Sequence, residues 1–361
     1  MNPDHFESFA KKYISMTPSH WSEPHFYKTL WQQMAQHHLF GLAIPKNNGG
    51  QGGDWSDISK AGQHIVLGSN IGIALSWIIQ ELITTCCLFE FGSENQKKQY
   101  IQKIINGQVC VSFAVSEPKI GSHPKYLTTH AIQTNNGFIL QGEKSFVTNG
   151  PLSDLFIVIA VTEKIDHRQY FSAFLIPRDT PGLIVTPIHF NYLIPCQHAS
   201  IQLHNVSIPS DHCLGELGNA YEKMVIPFRD IENALLMGLV VGGLKRQLND
   251  FIQVLTKQKN SITNDILKEV GFFHAVIESS NILAVDAAKR VSKKISCTPL
   301  SIMLKHMATE YQDRIKNCYS DLQLPTSSLF QTLCNDLKSL LFIAQTVLDI
   351  QQEKIGRDLC S

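Results

Sequence analysis

The chain has 361 residues and no net formal charge, with 31 Lys and Arg against 31 Asp and Glu, and it is 43% hydrophobic but only 17% charged. That length is roughly two to three domains' worth and ample for a large core, which excludes a disulfide-stapled mini-protein, while the composition excludes a largely disordered chain. The balanced charge removes any global attraction for nucleic acid. Helical spacing begins at Phe26: FYKTLWQQMAQHHLFGL and HIVLGSNIGIALSWIIQELI place apolar residues three and four apart, with Pro45 and KNNGGQGG as loop punctuation. In FGSENQKKQYIQKIINGQ, Ser93 is predicted as an N-cap, Gln96 as its capping-box partner and Gly107 as the residue past the last turn. Between about Val111 and Glu216 the hydrophobic period drops from about 3.6 to about 2. Short runs (VCVSFAV, THAIQT, GFILQG, LFIVIAVTE, YFSAFLIP, ASIQLHNVSIP) alternate there with turn clusters, leaving no room for crossover helices and predicting a small antiparallel barrel or sandwich. From about Asn219 helical spacing returns, enough for roughly four or five bundled helices. The expected division is a helical domain at 1–110, a β domain at 111–218 and a helical bundle at 219–361.

Nine cysteines (Cys86, Cys87, Cys110, Cys196, Cys213, Cys297, Cys318, Cys334, Cys360) never form Cys-x-x-Cys, which predicts reduced, mostly buried thiols in a cytoplasmic protein. The 15 histidines include no His-Glu-x-x-His, and His37-His38 has no carboxylate or Cys at ligand spacing, so no metal is expected. The N-terminal MNPDHFESF lacks an apolar segment and no window approaches about eighteen apolar residues, so neither secretion nor membrane spanning is expected. Gly49, Gly50, Gly52 and Gly53 are followed by Trp55 where a phosphate-binding loop needs glycine, and they read as a turn. Ser122-His123-Pro124-Lys125 satisfies Ser-x-x-Lys without its companion elements and is a weak hydrolase signal. Gly238 and Gly242 mark a close helix crossing.

The informative strings are FAVSEPKIGS, Phe113 to Ser122, and GEKSFVTNGPLSD, Gly142 to Asp154. They resemble the acyl-CoA dehydrogenase family, whose usual forms are Thr-Glu-Pro-x-x-Gly-Ser and Gly-x-Lys-x-Trp-Ile-Thr-Asn-Gly. LFGLAIPKNNGGQGG, FGSENQKKQY, SAFLIPRDTPGL and VSIPSDHCLGELGNAYEKM resemble the family in the same order, so the likeness covers residues 26 to 245 well. It implies an acyl-CoA dehydrogenase-like fold of N-terminal α-helical domain, middle antiparallel β-barrel and C-terminal four-helix bundle, with FAD between barrel and bundle. Carried over, Phe113, Val115 and Ser116 line the flavin ring, Ser116 standing for the family's Thr. Phe146 replaces the usual Trp, Val147 follows it, Thr148 lies near flavin N5, and Ser122 contacts cofactor and acyl substrate.

Family chemistry takes a proton α to a thioester carbonyl while hydride passes from the β carbon to N5, which needs one desolvated carboxylate. Most members keep that Glu near the C-terminus; here Gln345, or Ala344, falls at its place, and Gln cannot accept the proton. A second family location, that of isovaleryl-CoA dehydrogenase, is on the first bundle helix, and RDIENALLMGLVVGGL puts Glu232 there. Asp230, Ile231 and Asn233 would flank the thioester, Asn233 replacing the usual Arg. The alternative is a first-turn carboxylate that only favours the helix dipole. The Arg-x-Gln-Phe-Gly string that grips the FAD pyrophosphate is replaced by TKQKNSITN, with Lys257 or Lys259 as a point charge, and the Gly-rich loop by DLQLPTSS, so the ADP half of the site is eroded. Three readings follow: an FAD-dependent acyl-CoA or acyl-carrier-protein dehydrogenase, an inactive homologue acting as a binding subunit, or a flavin oxidase or monooxygenase of the same fold. The resemblance implies an electron acceptor such as an electron-transfer flavoprotein, and a homo-oligomer or a heteromer with a homologue.

Overall fold

A computed structural model describes residues 3–14, 26–257, 262–343 and 345–360, without the side chains of 26, 27 and 345–347. Helices α1 (Asp4–Tyr13), α2 (Phe26–Gln36), α3 (Trp55–Gly68), α4 (Ile71–Leu82, continuing as π-helix over Ile83–Phe89) and α5 (Glu94–Ile105) come first. Helix α1 precedes the first segment that spacing marks as helical; it buries Phe6, Phe9 and Ala10, its backbone close against Gly68 of α3. The second long helical run breaks after Gly68, where the Asn70 side chain accepts the Ile73 N–H at 2.8 Å and starts α4. The capping box of α5 is present as expected: Ser93 Oγ accepts the Gln96 N–H, Gln96 Oε1 accepts the Ser93 N–H, and Gly107 turns the chain at φ 67. Gln96 Nε2 also donates to the Asp211 and Cys213 carbonyls, tying α5 to the sheet. The stretch Ile71–Phe89 is long and apolar enough to cross a membrane by length and composition, yet 94% of it is buried inside the fold, as in a core helix.

Strands β1 (Val111–Ala114), β2 (His130–Thr134), β3 (Gly137–Thr148), β4 (Leu155–Ile165), β5 (Arg168–Pro177), β6 (Leu183–Ile188), β7 (His198–Pro209) and β8 (Cys213–Leu214) form one sheet in the order β6-β7-β3-β2-β4-β5-β8, with β1 also on β4. The sheet is mostly antiparallel, as expected, with two particulars that spacing does not give. First, β1 and β2 both pair with β4 in parallel, sharing one of its edges at Val111–Ala114 and at His130, because β3 and its loops supply a crossover long enough to bring the chain back in the same direction. Second, the sheet curls around one inner core, drawn from strands as far apart as Phe138, Phe156, Phe174 and Ile201, without β6 pairing to β8. Spacing misses β6, whose Pro187 is tolerated at the sheet edge, and the two-residue β8.

A buried ion pair folds the β1–β2 connection onto β3. Lys144 Nζ lies 2.9 Å from Glu117 Oε1 with side chains 0% and 3% exposed, and it also donates to the Val115 carbonyl. Glu117 accepts N–H groups from Thr128 and Thr129 as well. Burial alone would raise the Glu117 carboxyl, but the Lys144 charge and these hydrogen bonds outweigh it and hold it at about 2.

After a π-helical stretch at Tyr221–Val225 come α6 (Ile226–Lys257), α7 (Asn264–Ser292), α8 (Thr298–Asp321), α9 (Ser328–Phe342) and α10 (Gln345–Cys360). The close crossing expected at Gly238 and Gly242 is between α6 and α3: a Cβ at Gly238 would stand 2.5 Å from Ser59 Oγ and 2.7 Å from its carbonyl oxygen. All nine cysteines are free, and no group of His, Cys, Asp or Glu suited to a metal occurs among the described residues. Gly238→Ala is therefore expected to cost about 1–3 kcal/mol in urea unfolding, because the neighbour it meets is backbone. Gly271→Ala, on α7 with nothing within 4 Å, should be neutral or stabilising; equal effects at both positions would contradict the crossing.

Candidate active site

The sheet and the bundle enclose a cavity of about 780 Å³. Phe146, Thr148 and His198 face it from the sheet, Ser116 from the β1–β2 connection, Glu232 from α6, Leu75 from α4, Phe190 to Leu193 from the β6–β7 connection, and Asn335, Lys338, Ser339, Phe342 and Ile343 from the α9 end. Four residues expected at the site, Ser116, Phe146, Thr148 and Glu232, thus meet in one place.

The strand side is set by a bulge. The β3–β7 register shifts between Lys144 and Val147, and within that irregularity Phe146 adopts φ 55, which swings its ring out of the sheet and leaves it 58% exposed. Phe190 lies parallel to it, ring centres 6.2 Å apart and planes 9° off, and is itself flanked by Tyr192 and His198. Thr148 follows Phe146 at the strand period and lines the same cavity. Val147, between them, points the other way and is 1% exposed in the inner core of the sheet, so its side chain cannot touch a ring lying on Phe146. Phe113 packs on Phe228 with ring centres 4.7 Å apart, and the Val115 carbonyl is taken by Lys144; neither lines the cavity. Ser122 also lies off it, its carbonyl accepting the Tyr221 hydroxyl at 2.7 Å.

Helix phase decides the other wall. Successive residues leave a helix about 100° apart, so Asp230, Ile231, Glu232 and Asn233 cannot all face one cavity. Glu232 opens into the cavity just described. Asp230 and Ile231 line a second cavity of about 830 Å³ on the far side of α6, with Trp55, Phe89 and Lys294. Asn233 borders a void of about 30 Å³ with Lys305 and Met237. Asp230, Ile231 and Asn233, expected to flank the thioester, thus line other cavities than Glu232 does.

No hydrogen bond holds the Glu232 carboxyl among the described residues. Burial pushes it up to about 7, with the charge of Arg229, one turn earlier, pulling the other way. Arg229 lies three residues before Glu232 in RDIEN, and its Nε is buried with no hydrogen-bond partner among the described residues. His198 is held below the usual histidine range by burial, and its Nδ1 has no partner among the described residues. The aromatic string HFNYL at 189–193 was the one hint of the Phe190 wall. Of the remaining expectations, Ala344 and Lys259 lie outside the described residues, Gln345 opens α10 with its side chain undescribed, and Lys257 ends α6. DLQLPTSS is the end of α8 and a turn to α9, where Ser327 caps α9 and donates to Asp250.

The sign of the Glu232 shift makes a stability prediction. Its folded value lies above the unfolded one, so its contribution is intact at low pH and is lost as pH rises through about 7. Glu232→Gln should raise the melting temperature measured calorimetrically near about pH 8 and leave it unchanged near about pH 4, the charged form being the costly one. A variant less stable at the higher pH would show the carboxylate to be structurally paired.

Residues 1–108 match the family model of the acyl-CoA dehydrogenase N-terminal domain, and residues 112–206 that of the acyl-CoA dehydrogenase middle domain. The chain is 31% identical over 194 residues to an acyl-CoA dehydrogenase of Bacillus subtilis (strain 168), covering 53% of this chain and 51% of that one, so the match spans about half of that relative. It is 29% identical over 310 residues to the L-prolyl-[peptidyl-carrier protein] dehydrogenase of Serratia sp. (strain ATCC 39006), covering 80% of this chain and 77% of that one. The crystal structure of a glutaryl-CoA dehydrogenase from Mycobacterium smegmatis in complex with FADH2 shares the fold, with TM-score 0.83 at 18% identity over 94% of this chain and 89% of that one.

Proposed function

The chain belongs to the acyl-CoA dehydrogenase family, and on that premise we propose that it is an FAD-dependent dehydrogenase that removes the α and β hydrogens of an acyl thioester carried by CoA or a carrier protein, with Glu232 as the α-proton base. The observation that carries this reading is the convergence of Glu232 with Phe146, Thr148 and Ser116 on one cavity. The residues fit a flavin ring: Phe146 offers an open aromatic face, and Thr148 and Ser116 offer hydroxyls beside it. When bound there, FAD supplies the two-electron acceptor for the hydride leaving the β carbon.

Glu232 does the proton work. A carboxyl near neutrality is basic enough to take an α-proton and still ionised in useful amount at physiological pH, which is the Brønsted optimum for a general base. Its lack of a hydrogen-bond partner leaves both oxygens free to turn towards the substrate. Phe190, Tyr192 and Phe342 give the cavity an apolar wall near the base. With Gln345 or Ala344 at the usual C-terminal place, Glu232 is the carboxylate that this reading assigns to the step. Family membership also implies an electron-transfer flavoprotein as acceptor and assembly into oligomers. The glycine-free α8–α9 turn favours one second reading, a subunit that binds FAD only with a partner chain.

The test is anaerobic mixing of FAD-loaded protein with a panel of acyl thioesters on CoA and on carrier protein, following the visible flavin band. Wild-type protein should bleach with an active member of the panel, at a rate that rises with pH through about 7 as Glu232 ionises. Glu232→Gln should bleach about a hundred- to ten-thousandfold more slowly while binding flavin with an unchanged spectrum. Bleaching by the variant at the wild-type rate would remove Glu232 from the mechanism, and a wild-type protein that takes up no FAD would favour the partner-dependent reading.

A further inference from the structure

Two segments far apart in sequence face each other across the cavity, and one buried carboxyl joins them. Asp336, on α9, is 1% exposed, and its Oδ1 accepts the Leu193 N–H at 2.6 Å. Its other oxygen, Oδ2, is buried with no partner among the described residues. An acid buried for a single hydrogen bond is an expensive fold device, since packing alone would be served better by an apolar side chain. What it holds is also unusual: Leu193 sits at φ 54, a region that branched side chains avoid.

The neighbours of both residues line the cavity, Asn335, Lys338 and Ser339 on α9 and Phe190 to Tyr192 ahead of Leu193. The connection is pinned on two further sides. Its backbone lies against Gly72 of α4, where an added Cβ would stand 2.3 Å from the Leu193 carbonyl oxygen. At its far end the Gln197 carbonyl accepts the Asn149 N–H, next to Thr148. Asp336 is the one of these contacts that reaches the wall from the bundle. We propose that Asp336 is a positioning residue of the active site: by holding Leu193 it fixes Phe190 and Tyr192 relative to α9 and so sets the width of the space beside Phe146 that the flavin ring enters. This rests on the flavin reading given above. Asp336 itself touches no reacting atom.

Asp336→Asn keeps an oxygen acceptor for the Leu193 N–H, whereas Asp336→Ala removes it and Asp336→Ser draws it back by one bond, out of reach of that N–H, the serine being a milder change should the alanine variant fail to fold. Two measurements separate the clamp from its role. In the cofactor-free protein, amide hydrogen exchange over residues 188–197 should speed up about tenfold in the Ala or Ser variant and stay at the wild-type rate in the Asn variant. The FAD dissociation constant, from quenching of flavin fluorescence, should weaken roughly tenfold in the same variants and recover in the Asn variant. Unchanged exchange in both the Ala and Ser variants would overturn the clamp. Faster exchange with unchanged FAD affinity would overturn the positioning role, leaving Asp336 a structural link. Wild-type protein that takes up no FAD on its own would instead remove the flavin reading for the isolated chain, and the positioning role in it as well.

Discussion

The pitch of one helix decides which residues of its first turns line which cavity. Helix α6 is 32 residues long and is fixed in rotation by Gly238 and Gly242, which allow its backbone to touch that of α3. With that face committed, the first turns have no freedom left: Glu232 looks towards the sheet, and Asp230 and Ile231 look away from it. A rotation of one residue about the helix axis would exchange these roles. The glycines thus act on the chemistry from a distance, through a close approach that any Cβ would forbid.

The facing wall depends on a different local device. A bulge in β3 reverses the alternation of side chains just long enough to put Phe146 and Thr148 on the cavity and Val147 in the sheet core. Just before the bulge, Lys144 is buried against Glu117, so the strand cannot slip without uncovering a charge. Such a pair contributes little net stability against an apolar substitute, but it specifies register strongly, because every alternative leaves one ion unpaired. The Glu117 and Lys144 positions come from the two strings that also carry Ser116, Phe146 and Thr148. Sequence motif and buried ion pair are in this sense one feature.

How much of this was legible follows from how local each signal is. Capping at Ser93 and Gln96, the change of hydrophobic period after Val111 and the paired motifs around Ser116 and Thr148 are all written within a few residues, and each was readable. Glu232 was readable too, but only by position in a string. Its neighbours Asp230, Ile231 and Asn233 stand beside it in the string, but a linear string carries no helix phase and the structure sends them to other cavities. Asp336 and Leu193 are 143 residues apart, and nothing near either of them announces the other. The parallel pairing of β1 and β2 with β4 was hidden for the same reason, since strand runs show spacing but not direction.

The most direct test of the account is a crystal structure of the protein with FAD bound. It should show the isoalloxazine ring against Phe146, with the Thr148 hydroxyl at its edge and the Glu232 carboxyl across the remaining space, on the face that a thioester would occupy. A ring bound instead in the cavity beyond α6, beside Asp230 and Trp55, or a Glu232 turned out of the cavity, would contradict the assignment of the base and of the site.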